Sequence, residues 1–272
     1  MIERQYLGGE KPLKKVLSDL FPEIPYSELR ACLRRRDVKV DGVRASIDDL
    51  PVSSGATIVI YPKNKKQIKI FYEDDNILVC YKPKGIASEG EVSFETAVRA
   101  DRPEARLTHR LDTNTDGVIL FSKTDLAYDE IYTAMKEGRI LKEYRAEVYG
   151  HPAAKGEVSL DYYYKKDAEQ GRALLSDKPL SGYVPVHISF SVLESKPFGA
   201  VLRVFLHKGK THQIRAMLAR YGHFILGDGK YGDDEINRAL KVKKTLLTAF
   251  ALRFSFPEKS PLSYLNTITI SL

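Results

Sequence analysis

Six apolar runs beyond residue 67 restrict the fold of this chain more than any other feature. Ile77 to Tyr81, Val118 to Phe121, Tyr144 to Val148, Ile188 to Leu193, Val201 to Leu206 and Leu246 to Phe256 are rich in β-branched and aromatic residues. Runs of this length and composition read as strands. Two segments carry helical signals instead. Asp125 to Glu137 ends at Gly138, a natural left-handed C′ residue. Thr211 to Tyr221 is predicted to start with Thr211 as its N-cap and to close at Gly222. Many strands with few helices predict an α+β domain, with a central antiparallel or mixed sheet flanked by helices.

The chain, at 272 residues, has room for a second, smaller unit. Leu13, Val16, Leu17 and Leu20 fall at helical spacing, and Pro22 and Pro25 are expected to end that helix. Ser27 is the expected N-cap of a second helix, with Leu29, Cys32 and Leu33 inward and Arg30, Arg34, Arg35 and Arg36 on its outer face. Asp41-Gly42 after Val38-Lys39-Val40 predicts a tight hairpin, and Thr57 to Tyr61 a last strand. The order helix, helix, hairpin, strand has too little apolar content for a pocket but enough for a surface binder. The polar, basic stretch Pro62 to Gln67 reads as a linker. The expected domains are therefore 1–64 and 65–272.

Charge narrows the partner. A formal net charge of +7 favours a polyanion, nucleic acid first and an anionic membrane second, and a hydrophobic share of 43% supports a genuine core. No run approaches the roughly 18 apolar residues of a membrane span, and Met1 to Gln5 lacks an apolar signal core. Cys32 and Cys80 lie far apart in apolar stretches without Cys-x-x-Cys spacing, which predicts buried free thiols and a reducing cytoplasm. The six histidines show no ligand spacing, so no metal is expected. Gly227-x-Gly229 lacks the strand-then-helix context of a dinucleotide fingerprint.

Chemistry concentrates in two blocks. His109-Arg110-Leu111-Asp112-Thr113-Asn114-Thr115-Asp116-Gly117 holds a cation, a carboxylate and what reads as a turn glycine, directly before the apolar run at Val118. That places Asp112 at the rim of a sheet, where sites are built. Gly209-Lys210-Thr211-His212-Gln213-Ile214-Arg215 opens a helix. His212 and Arg215, three residues apart, share a face, while Ile214, Leu218 and Tyr221 mark the buried side. The free N–H groups of a helix start suit phosphate. An arginine beside Asp112 would hold it ionised, fit to act as nucleophile or base. His212 reads equally as a general base or a hydrogen-bond donor. Tyr144, in Lys142-Glu143-Tyr144-Arg145-Ala146, reads as a core aromatic or as a site residue.

Four motifs in order carry a resemblance. Lys82-Pro83-x-Gly85, the Asp112 block, the Tyr144 block and the Arg215 block followed by Gly227-Asp228-x-x-Tyr231-Gly232 resemble the signatures of the RluA-type pseudouridine synthases. Residues 12 to 61 resemble the αL-type RNA-binding module shared with a small-subunit ribosomal protein. The resemblance implies an RNA pseudouridine synthase that isomerises specific uridines of ribosomal or transfer RNA without a cofactor. It implies Asp112 as the catalytic aspartate, Tyr144 stacked on the target base and assisting proton transfer, Arg215 as the ion-pair partner of Asp112, and Arg110 beside the flipped nucleotide. RNA contacts are further expected from His109, Lys210, His212 and the arginines at 30, 34, 35 and 36. A cytoplasmic monomer with no membrane partner is expected. The alternative is a non-catalytic RNA-binding protein that keeps the fold. Its motive is Asp116, which stands where the family usually has serine: turned inward it would raise the pKa of Asp112, turned outward it would leave catalysis untouched. Lys210 stands for a usual arginine, and Ala87-Ser88-Glu89-Gly90 for a usual histidine-proline-glycine step.

Overall fold

A computed structural model describes residues 1–22, 24, 26–62, 68–153 and 156–272. The chain divides into two compact units, Met1–Ile68 and Lys69–Leu272. The predicted helix break at Pro25 and most of the predicted linker, residues 63–67, lie outside the described residues.

The first unit runs β1 (Ile2–Gln5), β2 (Lys11–Pro12), α1 (Leu13–Leu20), α2 (Tyr26–Arg34), β3 (Val38–Val40), β4 (Val43–Ala45), β5 (Pro51–Val52) and β6 (Thr57–Ile60). Its antiparallel sheet has the order β1-β6-β3-β4. Leu13, Val16 and Leu17 of α1 and Leu29, Cys32 and Leu33 of α2 bury their apolar stripes in one core with Val38, Ile58 and Ile60. Asp41 and Gly42 both have positive φ, 49° and 82°, as a two-residue hairpin turn matched to strand twist requires. Two expectations are corrected. Ser27 is not an N-cap, because α2 already begins at Tyr26; Glu28 supplies the favourable acid of the first turn. The edge strand β1, hidden by the exposed polar run Glu3-Arg4-Gln5, is an addition to the predicted order.

The second unit is a mixed α+β domain. It contains β7 (Ile70–Glu73), β8 (Ile77–Lys82), α3 (Phe94–Arg99), β9 (Arg106–Leu107), β10 (Asp116–Ser122), α4 (Asp125–Glu137), β11 (Ile140–Tyr149), β12 (Glu157–Asp167), β13 (Arg172–Ser176), β14 (Val184–Lys196), β15 (Gly199–Leu206), α5 (Gln213–Arg220), α6 (Asp234–Ala239), β16 (Leu247–Phe254) and β17 (Thr269–Ser271). One sheet of 11 strands takes the order β13-β12-β14-β15-β11-β16-β10-β8-β7, with β17 beside β16 and β9 beside β10. Its one parallel pairing among the described residues, β10 on β16, lasts only through Asp116↔Thr248 and Gly117↔Ala249. The two strands then part, and β9 and β17 take their free edges. This crossing explains Gly117. It is a strand residue, not the turn glycine its sequence context implied: at φ 125° a Cβ on it would lie 2.0 Å from the Ala249 carbonyl oxygen.

Candidate active site

Asp112 lies on the loop between β9 and β10, and that loop is fixed from beneath. Lys82, at the end of β8, is fully buried. Its Nζ donates to the carbonyls of Thr115 at 2.8 Å, Pro83 at 3.1 Å and Asp112 itself at 3.2 Å. A buried ammonium needs such partners. Burial still pulls Lys82 down to about 8, against the opposing pull of the Asp116 and Asp112 carboxylates. Ser88 clamps the preceding residue from both sides, its Oγ donating to Leu111 O at 2.7 Å and accepting from Leu111 N at 2.9 Å.

The second half of the site comes from α5. The helix starts at Gln213, not at Thr211, and its N-cap is His212 in the left-handed region at φ 58° with no side-chain cap. Lys210 N donates to the Gln213 Oε1 instead, at 3.0 Å, so Gln213 reaches back over the turn that Thr211 was expected to close. A left-handed non-glycine residue is strained, and such strain collects at functional sites. Every residue from Gln213 to Leu218 is buried, so α5 has no solvent face over its first six residues.

Arg215 joins the two halves. Its Nε and Nη2 hold both oxygens of Asp228, at 2.7 and 2.8 Å, and its Nη1 donates to Asp112 Oδ2 at 2.9 Å. Asp228 is wholly buried. Burial alone would raise its pKa, but the hydrogen bonds and charge of Arg215, with the backbone N–H groups of Lys230 and Tyr231, hold it below the ordinary carboxylate range. The fork of the guanidinium is thus fixed, and one remaining N–H points to Asp112. Asp112 Oδ1 makes no hydrogen bond among the described residues, and the side chain stays about one-fifth exposed. His212 Nε2 stands 3.9 Å from Asp112 Oδ2, and its Nδ1 meets the Tyr231 hydroxyl at 3.1 Å. That hydroxyl accepts from Ala173 N, which directs its own proton to Nδ1 and leaves the ring proton on Nε2, toward Asp112. Burial, only partly opposed by Asp112, lowers the pKa of His212, so the ring is neutral near pH 7.

Tyr144 on β11 and Asp112 line one cleft of about 1350 Å³. A bulge in the β11–β16 pairing falls between Glu143 and Tyr144, a device that re-aims side chains. Tyr144 is buried, its hydroxyl makes no hydrogen bond among the described residues, and burial together with the Asp112 charge raises its pKa. The phenol therefore stays protonated at any working pH. Arg110 and Lys210 are exposed on the same cleft, Arg110 paired with Glu89. His109 turns to the scaffold: its Nε2 accepts from Leu120 N at 3.1 Å, and burial, helped by Lys142, pushes it down to about 3.

Asp116 points away from this chemistry. Its carboxylate accepts from Tyr81 Oη at 2.8 Å and Thr248 Oγ1 at 2.7 Å, with Lys84 Nζ at 3.5 Å, tying β8, β10 and β16 together. In the first unit, Arg30 is paired with Asp48, and Arg35 with Glu28 and Asp37. Arg34 and Arg36 are exposed and make no ion pair among the described residues. Among the described residues no group of three His, Cys, Asp or Glu side chains is arranged to hold a metal ion.

Residues 76–220 match the family model for RNA pseudouridylate synthase. The chain belongs to that family. The synthase is thus an isomerase acting on RNA, and its relatives agree. It is 32% identical over 242 residues to the ribosomal large subunit pseudouridine synthase C of Pasteurella multocida, covering 81% of this chain and 69% of that protein. It is 30% identical over 261 residues to the protein of the same name from Haemophilus ducreyi, covering 86% and 81%. In fold it resembles the human RNA pseudouridylate synthase domain containing 1, at 23% identity and TM-score 0.62 over 78% of this chain and 85% of that one.

Sequence reasoning missed three members of the site. Asp228 stands in the motif Gly227-Asp228-x-x-Tyr231-Gly232, but nothing in Gly227-Asp228 says that the carboxylate is buried against Arg215. Lys82 gave only a motif match. Thr115 was passed over; it is buried on the cleft wall, and its hydroxyl has no partner among the described residues.

Proposed function

We propose that this synthase converts uridine to pseudouridine in large-subunit ribosomal RNA, with Asp112 as the catalytic carboxylate. The observation that carries this reading is the state of Asp112: one oxygen held by a locked Arg215, the other free in a cleft shared with Tyr144. The reaction breaks the C1′–N1 bond, joins C1′ to C5, removes the C5 proton and returns a proton to N1. No atom is gained or lost overall, so the chain's own groups suffice. The base must first leave its stack, which costs a few kcal/mol and least in a loop or bulge. Asp112 then serves as nucleophile toward sugar or base, or as the base that takes a sugar proton. Tyr144 supplies a flat face for the flipped uracil and a protonated hydroxyl within the cleft. Arg110, Lys210 and His212 lie where the flanking backbone would run.

The first unit is proposed to add RNA affinity through Arg34 and Arg36, joined by Arg30 and Arg35 where phosphate replaces their present acids; its likeness to the αL-type module supports this. Buried free thiols at Cys32 and Cys80 fit a reducing cytoplasm. The protein is proposed to act as a monomer. The ribosomal substrate is supported by the names of the relatives. The non-catalytic alternative loses its motive, because Asp116 is engaged with Tyr81, Thr248 and Lys84.

The test uses the enzyme with ribosomal and transfer RNA from cells lacking the gene, with pseudouridine mapped by carbodiimide labelling and primer extension. One or a few new sites in the large-subunit RNA are expected. Modification confined to transfer RNA would overturn the ribosomal assignment, and none in any RNA would overturn the catalytic one.

A further inference from the structure

We propose that helix α4 carries a stacking site for an unpaired base of the RNA, separate from the base that reacts. The proposal rests on the RNA-modifying reading above. Tyr128 and Tyr132 lie one helical turn apart with nearly parallel rings, 14° between planes and 6.3 Å between centroids. The Arg106 guanidinium lies over Tyr128, 3.3 Å from its ring centroid. All three side chains line the same cleft as Asp112 and Tyr144. Tyr132, at the open end of this ladder, is 57% exposed.

A tyrosine pair four residues apart also steadies its own helix. That role does not require a ring left mostly bare inside a substrate cleft. Bare aromatic faces next to a guanidinium are what single-stranded RNA binds, since every base has a π-face. The local charges select a base over a phosphate. Asp125, 3.8 Å from Arg106 Nη1, and the exposed Asp129 stand on the same helix outside the cleft lining, where they would repel a phosphate lying on α4. Lys136, on the cleft wall, can meet the backbone as it leaves. The occupant is therefore an unpaired nucleotide flanking the target, held by its flat face and without base identity being read.

The chain contains no tryptophan, so Tyr132→Trp in the full-length protein gives a unique fluorophore. The probe is a twelve-nucleotide oligouridylate, and the control is Phe198→Trp, at a site 60% exposed and outside the cleft. Saturable quenching is expected for Tyr132→Trp and not for Phe198→Trp. Tyr132→Ala should weaken oligouridylate binding roughly five- to a hundred-fold and Tyr132→Phe should restore it, while the melting temperature should fall by no more than about 2 °C in either. Wild-type affinity in Tyr132→Ala, or an unquenched Tyr132→Trp in the presence of bound RNA, overturns the proposal. If the functional reading fails, wild type itself neither binds oligouridylate nor forms pseudouridine, and the stacking site falls with it.

Discussion

The two faces of the central sheet answer the same need, holding carboxylate and guanidinium together, in opposite ways. On the cleft face one arginine, Arg215, stands between two acids, Asp112 and Asp228, and three of its N–H groups make hydrogen bonds of 2.7 to 2.9 Å. On the other face of β11, one buried acid, Glu143, is surrounded by Arg145, Arg203 and Arg253 at 3.1 to 3.2 Å. There the charges balance poorly and the geometry is loose: Glu143 Oε1 and the Nε atoms of Arg145 and Arg203 have no hydrogen-bond partner. The back cluster works mainly through charge, with one hydrogen bond, from Arg253 Nη2 to Glu143 Oε2 at 3.1 Å, and with arginines that keep 28 to 46% of their side chains in solvent. The front cluster works through direction. It spends two N–H groups of Arg215 on Asp228 so that the third presents a single oxygen of Asp112 and leaves the other free. Charge pairing is common on protein surfaces; a pair that fixes one oxygen and exposes its twin is built for chemistry.

Breaking the front cluster should therefore cost activity, and breaking the back cluster only stability. Arg215→Leu is the most severe change: isomerisation should be lost, with a fall of roughly 3–5 kcal/mol in folding stability, because two acids are left without their cation. An active and stable Arg215→Leu enzyme would dissolve the contrast. Tyr144→Phe should keep RNA affinity but lower kcat by roughly 10²–10⁴ if the hydroxyl transfers a proton. An unchanged kcat would make Tyr144 a stacking residue alone. Asp228→Asn should lower kcat about ten- to a hundred-fold by releasing the Arg215 fork, since small misplacements near reacting atoms are that costly. The same variant sharpens the comparison through pH. Because Asp228 has a depressed pKa in the folded state, its contribution to stability is complete above the ordinary carboxylate pKa and is lost as pH falls through the folded value. Acid denaturation of Asp228→Asn should accordingly be less steep, as chemical unfolding followed from neutral pH down to about pH 2 will report. Glu143→Gln is the mildest: about 1–3 kcal/mol of stability with turnover unchanged. A drop in kcat there would show that the two faces are coupled through β11.

Much of the second unit is legible in the sequence. The strands of continuous apolar residues were evident, because burial on both faces leaves no polar positions to disguise them. So were α4 and its closure at Gly138, whose φ of 80° needs glycine. The strands β12 and β13 are not: in Tyr162-Tyr163-Tyr164-Lys165-Lys166 only Tyr164 is buried, both lysines are exposed, and no apolar run forms. The site was legible unevenly. Asp112, Tyr144 and Arg215 stand in recognisable blocks. What holds them is assembled from distant parts of the chain, as with Lys82 beneath the Asp112 loop and Asp228 behind Arg215, and no local spacing announces a buried ion pair. The start of α5 was misplaced for a related reason. Thr211 has the chemistry of an N-cap, but the left-handed turn at His212 moves the first helical residue to Gln213. Gly117 was misread because a close crossing of two strands looks like a turn when only one of them is in view.

Asp112→Asn in the full-length enzyme tests the central claim most directly, because asparagine keeps the shape of the loop and removes only the charge. Pseudouridine formed in large-subunit RNA from gene-deleted cells should be measured beside RNA affinity and thermal stability in the same preparation. The expected result is no detectable pseudouridine, with RNA bound within a few-fold of wild type and the fold intact. Turnover within about ten-fold of wild type, less than the loss of one positioned catalytic group normally costs, would contradict it and remove Asp112 from the mechanism.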